Sequence, residues 1–220
     1  MSSHAFHTVG EEWLAAFAAG ALSPAKSLVI ACQAAIEPRL KSRLGAIDHV
    51  AGALVETAEG EALSEGFLDQ VMGELDAPAP SPAPAPVANG EAPAWMPAPL
   101  ARFMRESDIT LDWRASGSRF ARAPLFEFED GERLYLLRAE GGFRIPEHGH
   151  RGEEWTLLLQ GGYHVGDAGY VAGDLHQEDA ACTHQPVVDA GGPCVSLVAI
   201  EGRLKFRSPL LKLLQPILGV

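Results

Sequence analysis

Cysteine is scarce in this 220-residue chain, which contains only Cys32, Cys182 and Cys194. Three cysteines without a C-x-x-C pair provide no regular disulfide framework, and such usage is typical of proteins kept in a reducing compartment. The first residues show no basic stretch followed by an apolar one, so we expect no signal peptide. These absences predict a cytoplasmic protein.

Basic residues and long apolar runs are also in short supply. The chain has 17 Lys and Arg against 29 Asp and Glu, and its net charge is -12. Because proteins hold phosphates through Lys and Arg, we expect no direct binding of nucleic acid. No apolar run approaches the roughly 20 residues that span a bilayer, so we expect no membrane segment. The hydrophobic content of 47% is that of a globular protein.

Helical patterns dominate residues 1–76 and predict a small helical domain. Thr8 and Glu11 have the spacing of a capping box at the start of a first helix. Ser23, followed by proline, matches the start of a second helix. Pro38 predicts a break before a third helix, and the apolar spacing further on predicts a fourth.

The end of this helical region is strongly acidic. No Lys or Arg occurs from Asp48 to Asp76, whereas acidic residues recur at Glu56, Glu59, Glu61, Glu65, Asp69, Glu74 and Asp76. From charge alone we favour a solvated surface, which is the usual role of such runs. The alternative is a surface complementary to a basic protein partner.

A Pro/Ala-rich segment at 77–99 predicts an extended, semi-rigid linker, because proline removes hydrogen-bond donors and fixes φ. Beyond it, residues 100–220 alternate with a period of two and contain frequent Gly-rich turns. Many short strands with regular turns indicate a sandwich or barrel. A final apolar stretch, Leu210–Ile217, predicts a short helix packed on that barrel. The predicted fold class is therefore α + β in two domains.

The segment from Gly142 to Gly161 carries the pattern G-x5-H-x-H-x3-E-x6-G, with His148, His150 and Glu154 at its polar positions. Residues two apart on a strand point the same way, so the two imidazoles can face one point. A carboxylate that joins them from the next strand completes a ligand set for zinc or another first-row divalent metal. We favour this interpretation over an exposed strand that binds nothing.

Two downstream histidines compete to be the fourth ligand. We prefer His184, because a turn at Gly173–Asp174 would return the chain so that His184 faces the strand of His148. His176 is expected in a loop, and His164 is expected to be exposed. The predicted metal ligands are thus His148, His150, Glu154 and His184.

The glycine, histidine and glutamate pattern resembles the first signature of the cupin superfamily, whose metal lies inside a small double-stranded β-helix, or jelly-roll barrel. The resemblance implies that residues 100–220 form such a cupin-like domain. It also makes zinc the first choice of metal, although a His3Glu set also suits Fe(II), Mn(II) or Ni(II).

A wider resemblance, to the ChrR-type anti-sigma factors, covers nearly the whole chain outside the linker. It is carried by AAFAAGALSPAKSLVIA, LGAIDHVAG, ALSEGFLDQVMGELD, HGHRGEEWTLLLQG, THQPV and LKFRSPLLKLLQPILGV. The resemblance implies that the helical domain wraps an extracytoplasmic-function (ECF) sigma factor and blocks its contact with core RNA polymerase. It also implies release of the sigma factor in response to singlet oxygen or related oxidants, through the cupin domain. The family's cupin ligands match the four residues chosen above.

One family feature is missing. The family's helical domain holds its own zinc through an N-terminal His and an H-x3-C-x2-C motif, and the last three positions are Gln33, Glu37 and Leu40 here. His7 or His4 could still serve as the N-terminal histidine ligand. Cys32 has no further metal-binding residues at a useful spacing. We therefore predict no zinc in residues 1–76. Whether sigma binding survives this loss, or the regulator has moved to another partner, is left open by the sequence.

Two classes of function follow. The favoured one is a regulator that binds an ECF sigma factor and senses oxidative stress through the metal-bearing domain, without being an enzyme. The alternative is a metal-dependent cupin enzyme of the dioxygenase or isomerase type, for which Glu147, Glu153 and His176 are the nearby acid/base candidates. The sequence also allows a homodimer through the cupin-like domain.

Overall fold

The structure is a computed structural model, and it describes residues 7–76 and 92–202 together with the backbone of 205–206. Residues 77–91 of the predicted linker, His4 and the predicted helix at Leu210–Ile217 lie outside the described residues. The helices in the described part are α1 (Glu11–Ala18), α2 (Pro24–Ile36), α3 (Pro38–Glu56), α4 (Phe67–Asp76) and α5 (Ala98–Glu106). The last of these starts one residue before the predicted end of the linker.

Local capping fixes the starts of α2 and α3. The Ser23 hydroxyl accepts a hydrogen bond from the Lys26 amide at 3.3 Å, as the sequence predicts. The Glu37 carboxylate caps α3 by accepting from the Arg39 amide at 2.9 Å. The predicted capping box at Thr8 is wrong, because α1 begins at Glu11 after an extended Gly10 and has no side-chain cap.

The hydroxyl of Thr8 does not cap α1 and instead binds a side chain that is distant in the sequence. It accepts a hydrogen bond from Arg43 Nη1 at 3.1 Å, and the same guanidinium binds the Glu11 carboxylate. Both members of the predicted box are therefore used to attach α3 to the segment before α1.

Short antiparallel strands make up the second half of the molecule. Their bounds are β1 (Arg114–Ala115), β2 (Phe120–Glu127), β3 (Arg133–Ala139), β4 (His148–Gly149), β5 (Glu154–Gln160), β6 (Gly162–Val165), β7 (Ala168–Val171), β8 (Leu175–Glu178), β9 (Thr183–His184), β10 (Val187–Val188), β11 (Cys194–Ile200) and β12 (Lys205–Phe206). One sheet has the order β1-β2-β3-β11-β5-β8, and two smaller sheets have the orders β10-β6-β7 and β12-β4-β9. The predicted succession of helices followed by a β-structure is confirmed.

A common hydrophobic core joins the helices to the large sheet. The same cluster of buried side chains contains Leu14 and Val29 from the helices and Trp155 and Leu197 from the strands. The rings of Trp13 and Trp155 meet edge to face, with centroids 5.1 Å apart. The helices therefore pack against β5 and β11, and β5 is the strand that begins at Glu154.

Lys26 reinforces this contact at the end of the sheet. Its ammonium group binds Glu153 Oε2 at 2.8 Å and Glu201 Oε1 at 2.5 Å, and it lies 5.6 and 5.5 Å from the ring centroids of Trp13 and Trp155. Burial disfavours the charged form of Lys26, but the two carboxylates outweigh it and raise the Lys26 pKa. The start of β5 is thereby tied to α2.

None of the helices in the described residues combines the length and the hydropathy that a bilayer span requires.

Candidate metal centre and exposed helical surface

Strand pairing brings the predicted ligands together. His148 on β4 lies opposite His184 on β9, as expected for a returning strand. His150 directly follows β4, and Glu154 begins β5. All four side chains are buried, and His150 is 0% exposed. We call His148, His150, Glu154 and His184 the four-residue cluster, whose candidate ligand atoms all lie within 4.8 Å of one another.

Close approach of the backbone requires glycine at two positions, Gly149 between the two histidines and Gly161 at the end of the sequence pattern. A Cβ atom on Gly149, between the two histidines, would lie 2.8 Å from the Cys182 carbonyl oxygen on the approach to β9. Gly161 has a φ of +70°, and a Cβ there would lie 2.5 Å from the Pro193 carbonyl oxygen. Any side chain at either position would push the strands apart.

The spacing of the imidazole nitrogens suits a metal ion. His184 Nε2 lies 3.1 Å from His148 Nε2 and 3.3 Å from His150 Nε2. Nitrogens bound to one tetrahedral zinc at the usual bond length would be about 3.3 Å apart. The observed distances match that geometry closely.

Hydrogen bonds at the Nδ1 atoms of His148 and His184 determine whether their Nε2 atoms carry a proton or a lone pair. His148 Nδ1 lies 2.7 Å from the Pro146 carbonyl oxygen, and His184 Nδ1 lies 3.1 Å from Glu178 Oε1. Both oxygens accept, so each Nδ1 carries the proton and each Nε2 presents a lone pair. Two lone pairs then face each other at 3.1 Å, an arrangement that repels unless a cation lies between them. The residues present therefore fit a divalent metal.

Glu154 is placed to contribute the carboxylate. Its Oε1 accepts a hydrogen bond from Thr156 at 3.2 Å, and its Oε2 lies 3.3 Å from His150 Nδ1. That His150 nitrogen is buried and has no hydrogen-bond partner in the described residues. Burial raises the pKa of Glu154 to about 7, because the charged carboxylate is disfavoured away from water.

Burial keeps the histidines neutral. Burial, followed by the neighbouring histidines, lowers the pKa of His148 to about 4 and that of His150 to about 3. At neutral pH both rings are uncharged, which is the state that binds metals.

His176 and Glu178 were not assigned to the site by the sequence, and the structure places both beside it. His176 was predicted in a loop, but it is a buried residue of β8. Its Nδ1 lies 2.9 Å from the Tyr163 hydroxyl and its Nε2 lies 2.8 Å from Glu178 Oε1. The H-x-E spacing on one strand was the signal that could have indicated a shared face. His164 is exposed, as predicted, and pairs with Asp189 at 3.2 Å.

The acid/base candidates of the enzyme alternative have other surroundings. Glu153 binds Lys26, His176 lies between Tyr163 and Glu178, and Glu147 is exposed. Of these candidates, His176 is adjacent to the four-residue cluster, since its ring centroid lies 5.4 Å from that of His184.

In the helical part, Gln33 occupies one of the positions where the resembled family has a zinc ligand. Its amide is 0% exposed and donates to the carbonyl oxygens of His7, at 2.8 Å, and Gly173, at 3.0 Å. Its oxygen accepts from the Val9 amide at 3.3 Å. Gln33 thus fastens the segment before α1 to the turn that leads into β8.

The opposite end of the helical part exposes apolar side chains. Of the large hydrophobic residues that are exposed in the described part, eight lie between Val50 and Leu75: Val50, Leu54, Val55, Leu63, Phe67, Leu68, Met72 and Leu75. We call these eight residues the α3–α4 surface. So many exposed apolar side chains in one stretch of chain are typical of a surface that binds another molecule. The acidic residues of the same stretch, such as Glu56 and Glu65, are exposed beside them.

Comparison with known proteins gives related sequences and a related structure. The profile of the family described as ChrR cupin-like domain matches residues 104–201. Anti-sigma-E factor ChrR from Cereibacter sphaeroides is 40% identical over 211 residues, which are 96% of this chain and 96% of the relative. The crystal structure of Rhodobacter sphaeroides SigE in complex with the anti-sigma ChrR contains a similar chain, with a TM-score of 0.74 and 36% identity. That match covers 89% of this chain and 98% of the other.

Proposed function

Because this chain belongs to the ChrR family of anti-sigma factors, we propose that it binds an ECF sigma factor through its helical part and keeps it from core RNA polymerase. The observation that carries the proposal is the similarity over 98% of a chain crystallised with SigE. We accordingly propose a regulator rather than an enzyme, acting in the cytoplasm, where sigma factors meet the polymerase.

The α3–α4 surface is the proposed contact. Its eight apolar side chains contribute nothing to the core of the chain while they face water, and burial of each leucine would contribute about 1.5–3 kcal/mol to binding. The acidic side chains around them would attract a basic partner and speed association. The surface does not include Gln33, Glu37 or Leu40, so the altered zinc positions leave it available.

Mixing the full-length chain with purified SigE of Rhodobacter sphaeroides tests this proposal. We expect a complex in size-exclusion chromatography and a 1:1 stoichiometry in calorimetry. A metal-independent failure to bind at micromolar concentrations of both proteins would contradict it.

We further propose that the four-residue cluster holds one divalent metal, with zinc as the first choice, and that residues 1–76 hold none. Bound there, the metal would supply a closed structural cross-link between β4, β5 and β9. The convergent lone pairs of His148 and His184 and the raised pKa of Glu154 support the site. Metal analysis of the protein purified without added metal should give one equivalent per chain.

Sensing of oxidative stress is the remaining part of the proposal. An oxidant that modified an imidazole ligand, or displaced the Glu154 carboxylate, would release the cross-link at the start of β5, the strand that α2 contacts. We expect singlet oxygen to dissociate the metal-loaded complex with SigE. Unchanged sigma binding after this treatment would contradict the sensing role and leave the anti-sigma role intact.

The division into a helical domain at 1–76, a linker at 77–99 and a cupin-like domain at 100–220 stays part of the proposal. So does a homodimer formed through the cupin-like domain, which the same size-exclusion experiment would reveal.

A further inference from the structure

Glu178 contacts two histidines with one oxygen atom. Its Oε1 lies 3.1 Å from Nδ1 of His184, a member of the four-residue cluster, and 2.8 Å from Nε2 of His176. The Glu178 side chain is only 13% exposed. A carboxylate oxygen with two lone pairs can accept both N–H groups at once.

The Cys182 side chain also hydrogen-bonds to Glu178, and the bonds to the two histidines fix the role of each ring nitrogen. If His176 Nε2 donates to Glu178, its Nδ1 must accept, and the Tyr163 hydroxyl lies 2.9 Å away to donate to it. On the other side, His184 Nδ1 donates to Glu178 and leaves the Nε2 lone pair toward His148 and His150. The tautomer of both histidines follows from this single carboxylate.

The fold explains why such an anchor is needed. The strand that carries His184, β9, has only two residues and belongs to a small sheet. Glu178 ends β8, which pairs with β5 over four residues of the large sheet. In that pairing Glu178 lies opposite Glu154, so the two carboxylates are neighbours on the same face of the sheet.

We propose that Glu178 is the positioning residue of the metal centre. It holds His184 on its short strand with the Nε2 lone pair directed at the shared point, and His176 with Tyr163 holds Glu178. The inference rests on the proposed metal site, but its first consequence concerns the metal-free protein.

Removing the acceptor should change the tautomer of His184. In the Glu178→Leu variant Nδ1 has no acceptor, and the proton is better placed on Nε2, where the His148 Nε2 lone pair lies 3.1 Å away. Nitrogen-15 NMR of the metal-free full-length protein should show the Nδ1–H tautomer of His184 in the wild type and the Nε2–H tautomer in the variant. Asp189→Asn, which alters the exposed His164–Asp189 pair in the same barrel, is the matched control and should leave His184 unchanged.

Zinc affinity provides the second readout, measured by competition with a chromophoric chelator. Loss of a group that orients a metal-binding histidine typically weakens affinity 10–100-fold. We expect about 100-fold for Glu178→Leu, about tenfold for Glu178→Gln, whose oxygen can still accept, and no change for Asp189→Asn. The visible spectrum of the cobalt-substituted protein should change in the two Glu178 variants alone.

The outcomes separate the two proposals. A wild type that binds no metal would contradict the metal site, while the NMR comparison would still test the role of Glu178. Equal zinc affinity and an unchanged His184 tautomer in the Glu178 variants would overturn the positioning role and leave the metal site standing. A wild type that binds two ions, one of which is lost in the variants, would replace it with a second metal site on His176, Glu178 and His184. If Glu178→Leu does not fold, the zinc affinity of Glu178→Gln provides the test. A wild-type affinity in that variant would overturn the inference.

Discussion

The α3–α4 surface and the four-residue cluster reverse the normal distribution of side chains in opposite ways. The first leaves eight large apolar side chains in water, and the second places three histidines and a glutamate in the interior. Exposed apolar side chains add nothing to the stability of the isolated chain, whereas buried polar groups reduce it unless they are paired. The comparison fits the proposals that a protein covers the first region and that a cation completes the second.

The two regions differ in how the lack of a bound partner affects the stability of the fold. Water can reach every side chain of the α3–α4 surface, so that region is neutral for folding and matters for binding. The cluster is buried, so its lone pairs and its carboxylate affect the stability of the barrel itself. Substitutions should therefore separate binding from stability in the first region and couple them in the second.

The largest effect is expected from the double substitution Leu54→Gln and Leu68→Gln. These side chains are 67% and 70% exposed, so the free energy of unfolding should change by less than about 1 kcal/mol in total. If both are covered by the sigma factor, affinity for SigE should fall at least roughly 100-fold. Val171→Gln, at an exposed apolar residue of the barrel, is the control and should bind normally. Undiminished binding by the double variant would rule out this surface as the contact.

Metal removal should produce the next largest effect, on stability. Saturation with zinc at about 1,000 times its dissociation constant stabilises a protein by about 4 kcal/mol. For a chain of this size a chelator should then lower the midpoint of thermal unfolding by roughly 8–16 °C. The His184→Ala variant should show a much smaller difference between zinc and chelator. Identical thermal unfolding curves of the wild type with and without zinc would show that the four-residue cluster does not bind the metal.

Acid should destabilise the metal-free protein. Burial lowers the pKa of His148, His150 and His176 to about 4, 3 and 4, below the value of 6.5 in an unfolded chain. Between pH 6.5 and 4 the unfolded state therefore binds more protons, and stability falls as pH falls. The raised pKa of Glu154, about 7, works in the opposite direction between pH 7 and 4.5 and offsets part of the loss.

We expect a net loss of several kcal/mol between pH 6.5 and 4, because the three buried histidines together outweigh the opposite effect of Glu154. Denaturant unfolding in the presence of a chelator measures it. The double substitution His148→Gln and His150→Gln should flatten the curve, whereas His164→Gln, at an exposed histidine, should not. A wild-type curve that is flat over this range would show that the buried histidines do not resist protonation.

The smallest effect concerns the buried contact between helices and barrel. Gln33→Leu leaves the carbonyl oxygens of His7 and Gly173 and the amide of Val9 without this partner, which should cost about 1–3 kcal/mol of unfolding free energy. Gln70→Leu, at an exposed position of α4, should cost less than about 0.5 kcal/mol. Equal costs for the two variants would mean that the Gln33 hydrogen bonds do not hold the helices to the barrel.

The sequence by itself determined the order of helices and strands and the convergence of His148, His150 and Glu154, because these depend on short-range periodicity. Alternation on a strand places residues two apart on one face, whatever the rest of the chain does. Gly161, which closes the sequence pattern, was indicated for the same reason, because a positive φ is a local demand. Local signals failed where a distant residue competed, as when Arg43 bound the Thr8 hydroxyl that was expected to cap α1.

Only the tertiary structure determined which groups form hydrogen bonds with the predicted metal ligands. Glu178 supports His184 because β8 and β9 come together only when the sheets close, and the spacing of residues along the chain does not encode the partners of a carboxylate. The packing of α2 on β5 and the exposure of the α3–α4 surface were likewise settled by which faces the barrel covers. The sequence alone does not distinguish an apolar residue of the core from one on an exposed binding surface, because burial depends on how the rest of the chain packs around it.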